Sequence, residues 1–536
     1  MIKIPFKRFG VMLDMSRNAV MKPDVVKAFA DEIASMGYNT LLLYTEDTYE
    51  IKEDPYFGAR RGRYTKEDIR SIVAHCDALG MEVIPCIQTL AHMKTYLDWR
   101  KNKKLVDTGD IFLTDSEEVY ALIRKMIRAL RAAYTTKSIH VGMDEAHLLG
   151  LGKHLDLHGY ESRFDILRRH LEKVCRIAKE EGFEPNIWSD MFFRLGNGGL
   201  YSLKKPHLEP SEFGELPEGL NLTYWNYYST ERSLYRAMLR AHKKFQRPIW
   251  FAGGAWSWKG WAPDNRYTVM SMFPGLSVAM EEGIENAFIT TWGDNGGECS
   301  RFALLPSLFA CARFVQGEKS MRVIKEEFKE KYGISYGDFE SLDLRLDPKR
   351  KLAVNPEKYL LYNDPFIGKL DSTVTGKEAA FYRRAAAKFA RLAKKGVYPK
   401  VFTNHAALSR TLSYKAELGV RTRALYQAGD KEGMKALLKE YTLARQNLKR
   451  FIQTETELWH WENRPQGFEI QEARLGGLLL RLSSCQKRLE SWIETGEAIP
   501  ELEEPALAFM GNDPDAKVEH LRIARYHEMI TASSIK

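Results

Sequence analysis

Residues 138–150 read SIHVGMDEAHLLG, and the interpretation of the whole chain starts from this stretch. A short run rich in apolar and β-branched residues reaches Met143 and is followed at once by two acids, Asp144 and Glu145. This order is typical of a buried parallel strand whose carboxyl end carries polar groups of an active site. The stretch therefore predicts a strand that ends in a candidate catalytic pair.

The letters DEAH at 144–147 also match the magnesium-binding signature of helicase ATPases. In those enzymes the metal is shared with phosphates that are held by a G-x-x-x-x-G-K-[ST] loop. The Gly-Lys pairs of this chain, at 152–153, 368–369 and 376–377, are followed by His, Leu and Glu, so none offers the required hydroxyl. The sequence thus argues against a nucleotide-driven motor.

Eight apolar runs of this kind alternate with amphipathic segments in roughly the first three hundred residues, which is the pattern of repeated βα units. The runs are RFGVMLD, YNTLLLYTE, MEVIPCIQT, SIHVGMD, EPNIWSD, NLTYWNYY, PIWFAGG and NAFITTWGD. Between the second and third runs, Thr65 and Asp68 form a capping-box pattern that starts a helix. Eight units predict an α/β fold, a (β/α)₈ TIM barrel, with its site at the carboxyl ends of the strands.

The segments after the barrel differ in pattern. We assign residues 1–335 to the catalytic (β/α)₈ barrel and residues 336–376, which contain many Asp and Pro, to a connecting segment packed on it. Residues 377–536 carry long helical patterns, one of them continuous over 404–430, and are predicted to form an all-α C-terminal helical domain, arranged as an antiparallel bundle. A chain of 536 residues is long enough for two or three domains.

Composition and charge restrict the partners. Apolar residues make up 44% and charged residues 28% of the chain, and no apolar run approaches the length of a membrane span, so we expect no membrane association. The net charge is +9, and residues 377–536 hold 27 Lys and Arg against 20 Asp and Glu. These cations recur opposite apolar positions, as on solvated helix faces, so we expect no nucleic-acid partner. The 6 cysteines show no paired spacing, which favours a cytoplasmic location.

Two adjacent acids restrict the chemistry as well. Carboxylates from separate strands can flank a sugar as acid and nucleophile, whereas sequence neighbours lie on one side of the reacting carbon. The stretch HVGMDE at 140–145 resembles the H-x-G-x-D-E motif of family 20 glycoside hydrolases, the β-N-acetylhexosaminidases. The resemblance implies that the substrate's own acetamido oxygen attacks the anomeric carbon. It also implies that Glu145 protonates the leaving oxygen and later activates water, while Asp144 holds the acetamide N–H.

Stretches at the ends of the first and third runs are similar to further motifs of that family. LDMSRNAV resembles its D-x-x-R stretch, which implies that Arg17 binds sugar hydroxyls. IPCIQTLAH corresponds to P-E-I-D-x-P-G-H, so His92 matches, but Cys86 and Gln88 replace the two acids and Ala91 replaces the glycine. These departures indicate a divergent branch of the family, one that lacks the small N-terminal domain common in it.

Aromatic residues near the later strand ends complete the predicted pocket, because sugars stack their C–H faces on aromatic rings. TYWNYY offers Tyr224 or Tyr227 as a donor to the acetamide oxygen, and TTWGDNGGE resembles a W-x-E pattern with Asp294 in place of Glu. The predicted substrate-binding residues are Arg17, His92, His140, Trp188, Tyr224, Tyr227, Trp256, Trp292 and Asp294.

We predict no metal and no cofactor. His140, His147, His154 and His158 lie close together in sequence, but they lack the H-E-x-x-H spacing of a zinc site. We expect these histidines to lie beside the site or on the surface rather than to bind a metal ion.

These features predict an exo-acting β-N-acetylhexosaminidase that hydrolyses terminal β-linked GlcNAc or GalNAc of a small glycan by a retaining, substrate-assisted mechanism. Two alternatives stay open at this point, namely another acetamido-sugar hydrolase on the same barrel and a non-catalytic sugar-binding or scaffold barrel. Trp459, Trp461 and Arg464 near one helix end suggest a homodimer through the helical domain, since interfaces favour Trp and Arg, although packing within the chain explains them equally well.

Overall fold

The computed structural model describes residues 4–209, 214–347, 349, 354–511 and 521–535. The strands are β1 (Arg8–Asp14), β2 (Thr40–Tyr44), β3 (Glu82–Cys86), β4 (Val106–Thr108), β5 (Ile111–Phe112), β6 (Ser138–His140), β7 (Glu184–Trp188), β8 (Asn221–Trp225), β9 (Ile249–Gly254) and β10 (Asn286–Thr291).

The helices are α1 (Pro23–Met36), α2 (Lys66–Ala78), α3 (Lys94–Leu97), α4 (Glu117–Arg131), α5 (Lys153–His158), α6 (Arg163–Glu180), α7 (Asp190–Gly196), α8 (Arg232–Lys243), α9 (Asn265–Glu281), α10 (Leu305–Val315), α11 (Met321–Tyr332), α12 (Tyr336–Glu340), α13 (Pro356–Tyr362), α14 (Glu378–Ala393), α15 (Pro399–Lys415), α16 (Leu418–Gln427), α17 (Lys431–Glu462), α18 (Phe468–Thr495), α19 (Pro500–Glu503) and α20 (Tyr526–Ile530). Among the described residues, none of these helices combines the length and the apolar character that a bilayer crossing requires.

Eight parallel strands close a barrel in the order β1-β10-β9-β8-β7-β6-β3-β2. The first and last strands complete the ring, where Arg8 pairs with Asn286, and Met12 lies between Thr290 on one side and Leu42 on the other. β1, β2, β9 and β10 are buried over nearly their full lengths, as expected for strands covered on both faces. All eight predicted strands are present, and the predicted (β/α)₈ barrel followed by helices is confirmed.

Local helix signals in the sequence also have the expected structural form. Thr65 and Asp68 make a reciprocal capping box at the start of α2, with the Asp68 N–H donating to Thr65 Oγ1 over 3.1 Å and the Thr65 N–H donating to Asp68 Oδ2 over 2.8 Å. α4 buries one apolar face that runs from Val119 to Leu130. These elements fix the connections that lead into β3 and β6.

Six of the eight barrel strands end before the predicted runs do, whereas β1 and β9 end at the last residue of their runs. The run SIHVGMD extends to Asp144, but β6 ends at His140 because Gly142 and Met143 adopt left-handed φ angles of 76° and 78°. A small antiparallel pair, β4 with β5, follows β3 and was not predicted. Where a strand ends early, the residues that follow it lie outside the sheet, so local turns determine the direction of their side chains.

The chain divides into two compact units. The first comprises Met1–Ala255, Thr268–Trp292 and Leu308–Lys319. The second comprises Trp256–Tyr267, Gly293–Ser307 and Ser320–Lys536, so the segments that follow β9 and β10 belong to the same unit as the C-terminal helices.

The second unit is helical and contains buried ion pairs. Lys358 Nζ lies 2.6 Å from Glu298 Oε2, and both side chains are almost completely buried. Arg345 donates two hydrogen bonds, of 2.6 and 2.8 Å, to the two carboxylate oxygens of Asp264. One predicted helical segment, 404–430, is divided between α15 and α16, and the predicted connecting segment contains the short helices α12 and α13.

Candidate active site

The two adjacent acids lie in a tight turn directly after β6. Gly142 and Met143 have left-handed φ angles, and Glu145 has a φ of 53°. Residues other than glycine seldom adopt this conformation, which costs about 1–3 kcal/mol per residue and is concentrated at functional sites. Because the chain has left the pleated sheet, the opposite-face rule for strand neighbours no longer separates Asp144 from Glu145.

Gln88, which follows β3, holds Asp144 from one side. Its Nε2 donates to Asp144 Oδ1 over 2.6 Å and lies 2.9 Å from the hydroxyl of Tyr44. Its Oε1 accepts the N–H of Met143 over 3.1 Å. The sequence had presented Gln88 only as a departure from the family motif, so its contact with Asp144 is a functional feature that sequence reasoning missed.

His92 holds Asp144 from the other side. Its Nε2 lies 3.3 Å from Asp144 Oδ2 and 3.9 Å from Glu145 Oε2, and its main-chain N–H donates to Asp110 Oδ2 over 3.1 Å. Burial lowers the pKa of His92, but the charge and the hydrogen bond of Asp144, together with the charge of Glu46, outweigh burial and raise that pKa to about 9. Conversely, burial raises the pKa of Asp144, while the charge and hydrogen bond of His92 and the hydrogen bond from Gln88 lower it to about 2. At neutral pH the pair is an imidazolium beside a carboxylate.

The same cluster is where the described residues could hold a metal ion. His92, Asp144 and Glu145 place one ligand atom each within 4.8 Å of one another. A histidine ligand must be neutral, and the raised pKa of His92 favours the protonated ring, so a metal ion would have to displace that proton. The contact between His92 and Asp144 in this structure is that of an ion pair.

Glu145 contacts a second charged pair, Asp190 and Arg194, which lie one helical turn apart at the start of α7. Arg194 Nη2 is 3.3 Å from Glu145 Oε1, and Arg194 Nε donates to Asp190 Oδ2 over 2.8 Å. The same oxygen of Asp190 accepts the main-chain N–H of Glu145 over 3.1 Å. Asp190 thus fixes the backbone of Glu145, and Arg194 contacts its carboxylate.

Asp190 is fully buried, and its carboxyl group binds a proton more tightly than an ordinary aspartate does. Burial raises the pKa of Asp190, the charges of Asp144 and Glu145 raise it further, and Arg194 opposes them, with a resulting value of about 7. Asp190 and Arg194 were not predicted. One signal was present, because Asp190 ends the run EPNIWSD just as Asp144 ends the run SIHVGMD.

Arg17, which follows β1, lies between acidic side chains and aromatic rings. Its Nη1 is 3.2 Å from Asp14 Oδ2, and its Nη2 is 3.6 Å from Glu46 Oε1. Its guanidinium carbon lies 4.7 Å from the ring centre of Tyr44 and 4.8 Å from that of Trp292. The structure therefore brings Arg17 and Trp292 together.

Tyr44 connects this cluster to Asp144 through Gln88. Its hydroxyl donates to Glu46 Oε1 over 3.0 Å and accepts from Gln88 Nε2, which also donates to Asp144. Burial raises the pKa of Glu46, an effect that the charge of Arg17 opposes. A continuous series of polar contacts therefore runs from Arg17 to Asp144.

Trp188 and His140 pack beneath the turn that carries the acids. Their ring centres lie 4.3 Å apart, and the ring centre of Trp188 is 6.0 Å from that of Trp292. His140 is fully buried, its Nδ1 accepts the N–H of Gly142 over 3.2 Å, and burial lowers its pKa to about 3. His140 is thus a neutral ring that supports the turn, and its predicted contact with substrate stays a prediction.

The two tyrosines predicted near the acetamide differ in surroundings. Tyr224 is buried and its hydroxyl accepts from Asn226 Nδ2 over 3.1 Å. Tyr227 stacks on Trp225 with ring centres 5.2 Å apart, and Asp144 is among the charges that act on its hydroxyl. Tyr227 therefore interacts electrostatically with Asp144.

Trp256 and Asp294 belong to the second unit. Trp256 is buried and stacks on Trp258, with ring centres 4.5 Å apart, while Asp294 is exposed. Their predicted contacts with substrate stay predictions.

Two sequence models of one protein family match this chain. Residues 6–205 match the model described as "Glycosyl hydrolase family 20, catalytic domain", and residues 336–521 match the "Glycoside Hydrolase 20C C-terminal domain". The first match contains β1 to β7 and therefore Asp144 and Glu145, and the second contains most of the C-terminal helices, for which the sequence alone had offered no recognisable motif.

Individual relatives are distant. Hexosaminidase D of Homo sapiens is 26% identical over 213 residues, which are 38% of this chain and 44% of that protein. A beta-hexosaminidase of Akkermansia muciniphila is 23% identical over 229 residues, or 36% of this chain and 45% of that protein. The chain thus spans less than half the length of these two relatives. A solved family 20 exo-β-N-acetylglucosaminidase from Vibrio harveyi in complex with N-acetylglucosamine superposes with a TM-score of 0.49 and 15% identity, over 64% of this chain and 59% of that one.

Proposed function

The chain belongs to glycoside hydrolase family 20, and from that premise we propose that it is an exo-acting β-N-acetylhexosaminidase. Its substrate is a small glycan with a terminal β-linked GlcNAc or GalNAc. The observation that carries the proposal is the position of Asp144, an ionised carboxylate held between Gln88 and His92 beside Glu145. A fixed negative charge next to a half-buried carboxyl group suits a reaction in which the substrate supplies the nucleophile.

The proposed mechanism has two steps. In the first, the acetamido carbonyl oxygen attacks the anomeric carbon, the glycosidic C–O bond breaks, and Glu145 donates its proton to the leaving oxygen. Asp144 accepts a hydrogen bond from the acetamide N–H and stabilises the positive oxazolinium that forms. In the second step, Glu145 takes a proton from water, which attacks the anomeric carbon and opens the ring with retention of configuration.

The remaining predicted residues have proposed roles in binding. Arg17 donates to sugar hydroxyls, and Trp188 and Trp292 pack against the apolar face of the sugar. Tyr227 or Tyr224 donates to the acetamide oxygen. Contributions from His92, His140, Trp256 and Asp294 complete the proposed set of binding residues. No cofactor takes part in the proposed reaction.

Hydrolysis of aryl N-acetyl-β-glucosaminide and aryl N-acetyl-β-galactosaminide tests the activity and the sugar preference together. Proton NMR of the first-formed sugar should show the β-anomer, as retention requires. An inactive chain that still binds N-acetylglucosamine would favour a sugar-binding barrel, and a covalent enzyme intermediate trapped with a 2-fluoro sugar would contradict the substrate-assisted mechanism.

Further proposals concern the whole protein. We propose a division into the catalytic barrel 1–335, a connecting segment 336–376 and a helical domain 377–536 that forms a homodimer. A cytoplasmic location is proposed because all six cysteines are buried free thiols. Light scattering of the purified chain tests the dimer, and a monomer at micromolar concentration would contradict it.

A further inference from the structure

Gln88 occupies a position where the family motif carries an acid, and its contacts show what the amide does there. Nε2 donates to Asp144 Oδ1 over 2.6 Å, a short contact for an amide donor and a charged acceptor. Oε1 accepts the N–H of Met143, the residue that precedes Asp144. One side chain therefore binds both the carboxylate of Asp144 and the turn that carries it.

These contacts leave the amide only one orientation. A main-chain N–H is always a donor, so the atom that it meets must be Oε1, and Nε2 must then face Asp144. Gly142 makes room for this arrangement, because a Cβ at Gly142 would lie 2.0 Å from Gln88 Oε1. The turn, the glycine and the amide thus form one fitted unit around Asp144.

An amide and a carboxylic acid differ as donors. The amide N–H is present at every pH, whereas an acid donates only while it is protonated, and two carboxylates in hydrogen-bond contact cannot both be ionised at low cost. An acid at position 88 would therefore make the state of Asp144 depend on a shared proton. The amide removes that dependence.

We propose that Gln88 is a positioning residue whose amide keeps Asp144 ionised and oriented over the whole working pH range, in place of a shared proton. This inference rests on the proposed function, because it assigns Gln88 to the reaction through Asp144. It predicts that the glutamine is a functional replacement for an acid, and that restoring an acid at this position makes activity pH-sensitive.

Other titratable or charged groups lie around Asp144, and a test must distinguish their effect on its ionisation from the effect of Gln88. They are Arg17, Tyr44, Glu46, Cys86, His92, His140, Glu145, Asp190, Arg194 and Tyr227. All of them are shared by the wild type and by variants at position 88. A ratio of variant to wild-type activity at each pH therefore reduces their contribution.

The decisive variant is Gln88→Glu, which keeps the shape and the oxygen that accepts from Met143. While the new pair shares a proton, kcat/KM on an aryl N-acetyl-β-glucosaminide should lie within about tenfold of wild type. Above the apparent pKa of the pair the ratio to wild type should fall by about tenfold per pH unit. If Gln88 only fills space, the ratio will be independent of pH, and the proposal is wrong.

Two further variants act as controls. Gln88→Met removes the donor without adding a charge, so its loss should be the same at every pH. It should also weaken binding of an N-acetylglucosamine thiazoline more than binding of N-acetylglucosamine itself, because the thiazoline mimics the charged intermediate; equal weakening would contradict positioning. Gln471→Glu is the matched control, since Gln471 is a buried glutamine of the second unit that donates to the Gly296 carbonyl. Its activity ratio should not depend on pH.

A measurement that does not need activity separates this inference from the proposed function. With side-chain ¹³C-labelled aspartate, and Asp144→Asn to identify the signal, the Asp144 carboxyl should stay ionised from pH 4 to 8 in the wild type and should titrate in Gln88→Glu. An inactive wild type with this NMR result would refute the proposed function and uphold the role of Gln88. Identical Asp144 titrations in the two proteins would overturn that role even in an active enzyme.

Discussion

Charged side chains are buried in both units of this chain, but they are arranged differently. In the second unit, Lys358 faces Glu298 and Arg345 faces Asp264, so each of these two buried acids meets a cation at 2.6 Å. In the first unit, Asp144, Glu145 and Asp190 are close enough to influence one another, and His92 and Arg194 contact this group of three acids as cations.

The difference shows how the same residue types give structure in one place and chemistry in another. In a matched pair each charge opposes the effect of burial on its partner's pKa, and the pair joins two segments of the chain. Where acids are crowded, their pKa values move apart instead. The pKa of Asp144 is about 2, whereas that of Asp190 is about 7. Left-handed φ angles occur beside both arrangements, at Met143 and Glu145 in the crowded cluster and at Leu344 next to Arg345.

The largest expected effect is the loss of activity caused by a substitution in the crowded cluster of Asp144, Glu145 and Asp190. Glu145→Gln removes the proposed acid and should lower kcat on glycosides with poor leaving groups by about 10³–10⁴-fold. The loss should be smaller on aryl substrates whose leaving groups need no proton. Comparing both substrates in one series checks this, and equal small losses on both would remove Glu145 from the acid–base role. The unfolding midpoint should change little, because the Glu145 side chain is half-buried and not part of the packed core.

Substitutions in the matched ion pairs should lower the stability of the fold. Arg345→Met leaves Asp264 buried without its bidentate cation, and the free energy of unfolding should fall by about 3–5 kcal/mol. Denaturant unfolding measures this loss. The double variant Arg345→Met with Asp264→Asn should lose less than the sum of the two single variants, and strict additivity would mean that the pair does not act as a unit.

Asp190 should make stability depend on pH. Its pKa of about 7 in the folded chain lies above the ordinary value near 4, so the folded state holds the proton more tightly than the unfolded state. The associated stability is fully present below about pH 4 and is lost as the pH rises to about 7. Asp190→Asn should abolish this fall, which chemical unfolding at pH 4, 5.5 and 7 would reveal. Parallel curves for wild type and variant would contradict the shift.

Arg194 should have the smallest of these effects. It contacts the Glu145 carboxylate at 3.3 Å, so Arg194→Met should misplace the acid and lower kcat by about tenfold, with little change in KM. Arg194→Lys should recover only part of the activity, because one ammonium group cannot reproduce both contacts of the guanidinium. A variant that changes KM alone would assign Arg194 to substrate binding instead.

The barrel could be predicted from the sequence because each strand has its own apolar run and each run alternates with a helical pattern. The pair β4 and β5 could not, since strands of three and two residues are too short to show a period. The break between α15 and α16 was also missed, because the sequence continues there without a proline and Gly419 lies inside α16.

Within the site, the acids were predictable, and so was His92, but Gln88, Asp190 and Arg194 were not predicted as their partners. Asp144 and Glu145 stand out because they follow an apolar run directly. Gln88 reaches Asp144 across 56 positions, and Arg194 reaches Glu145 across 49, so nothing in the local pattern connects them. The left-handed turn at Met143 and Glu145 was equally hidden, because neither residue type favours that conformation.

The central proposal is that the acetamide of the substrate acts as the nucleophile beside Asp144 and Glu145. The most direct measurement compares kcat/KM for aryl N-acetyl-β-glucosaminide with that for the aryl β-glucoside of the same leaving group. We expect ready hydrolysis of the first and almost none of the second, because the glucoside has no acetamido oxygen. Comparable rates on the two substrates would contradict substrate assistance.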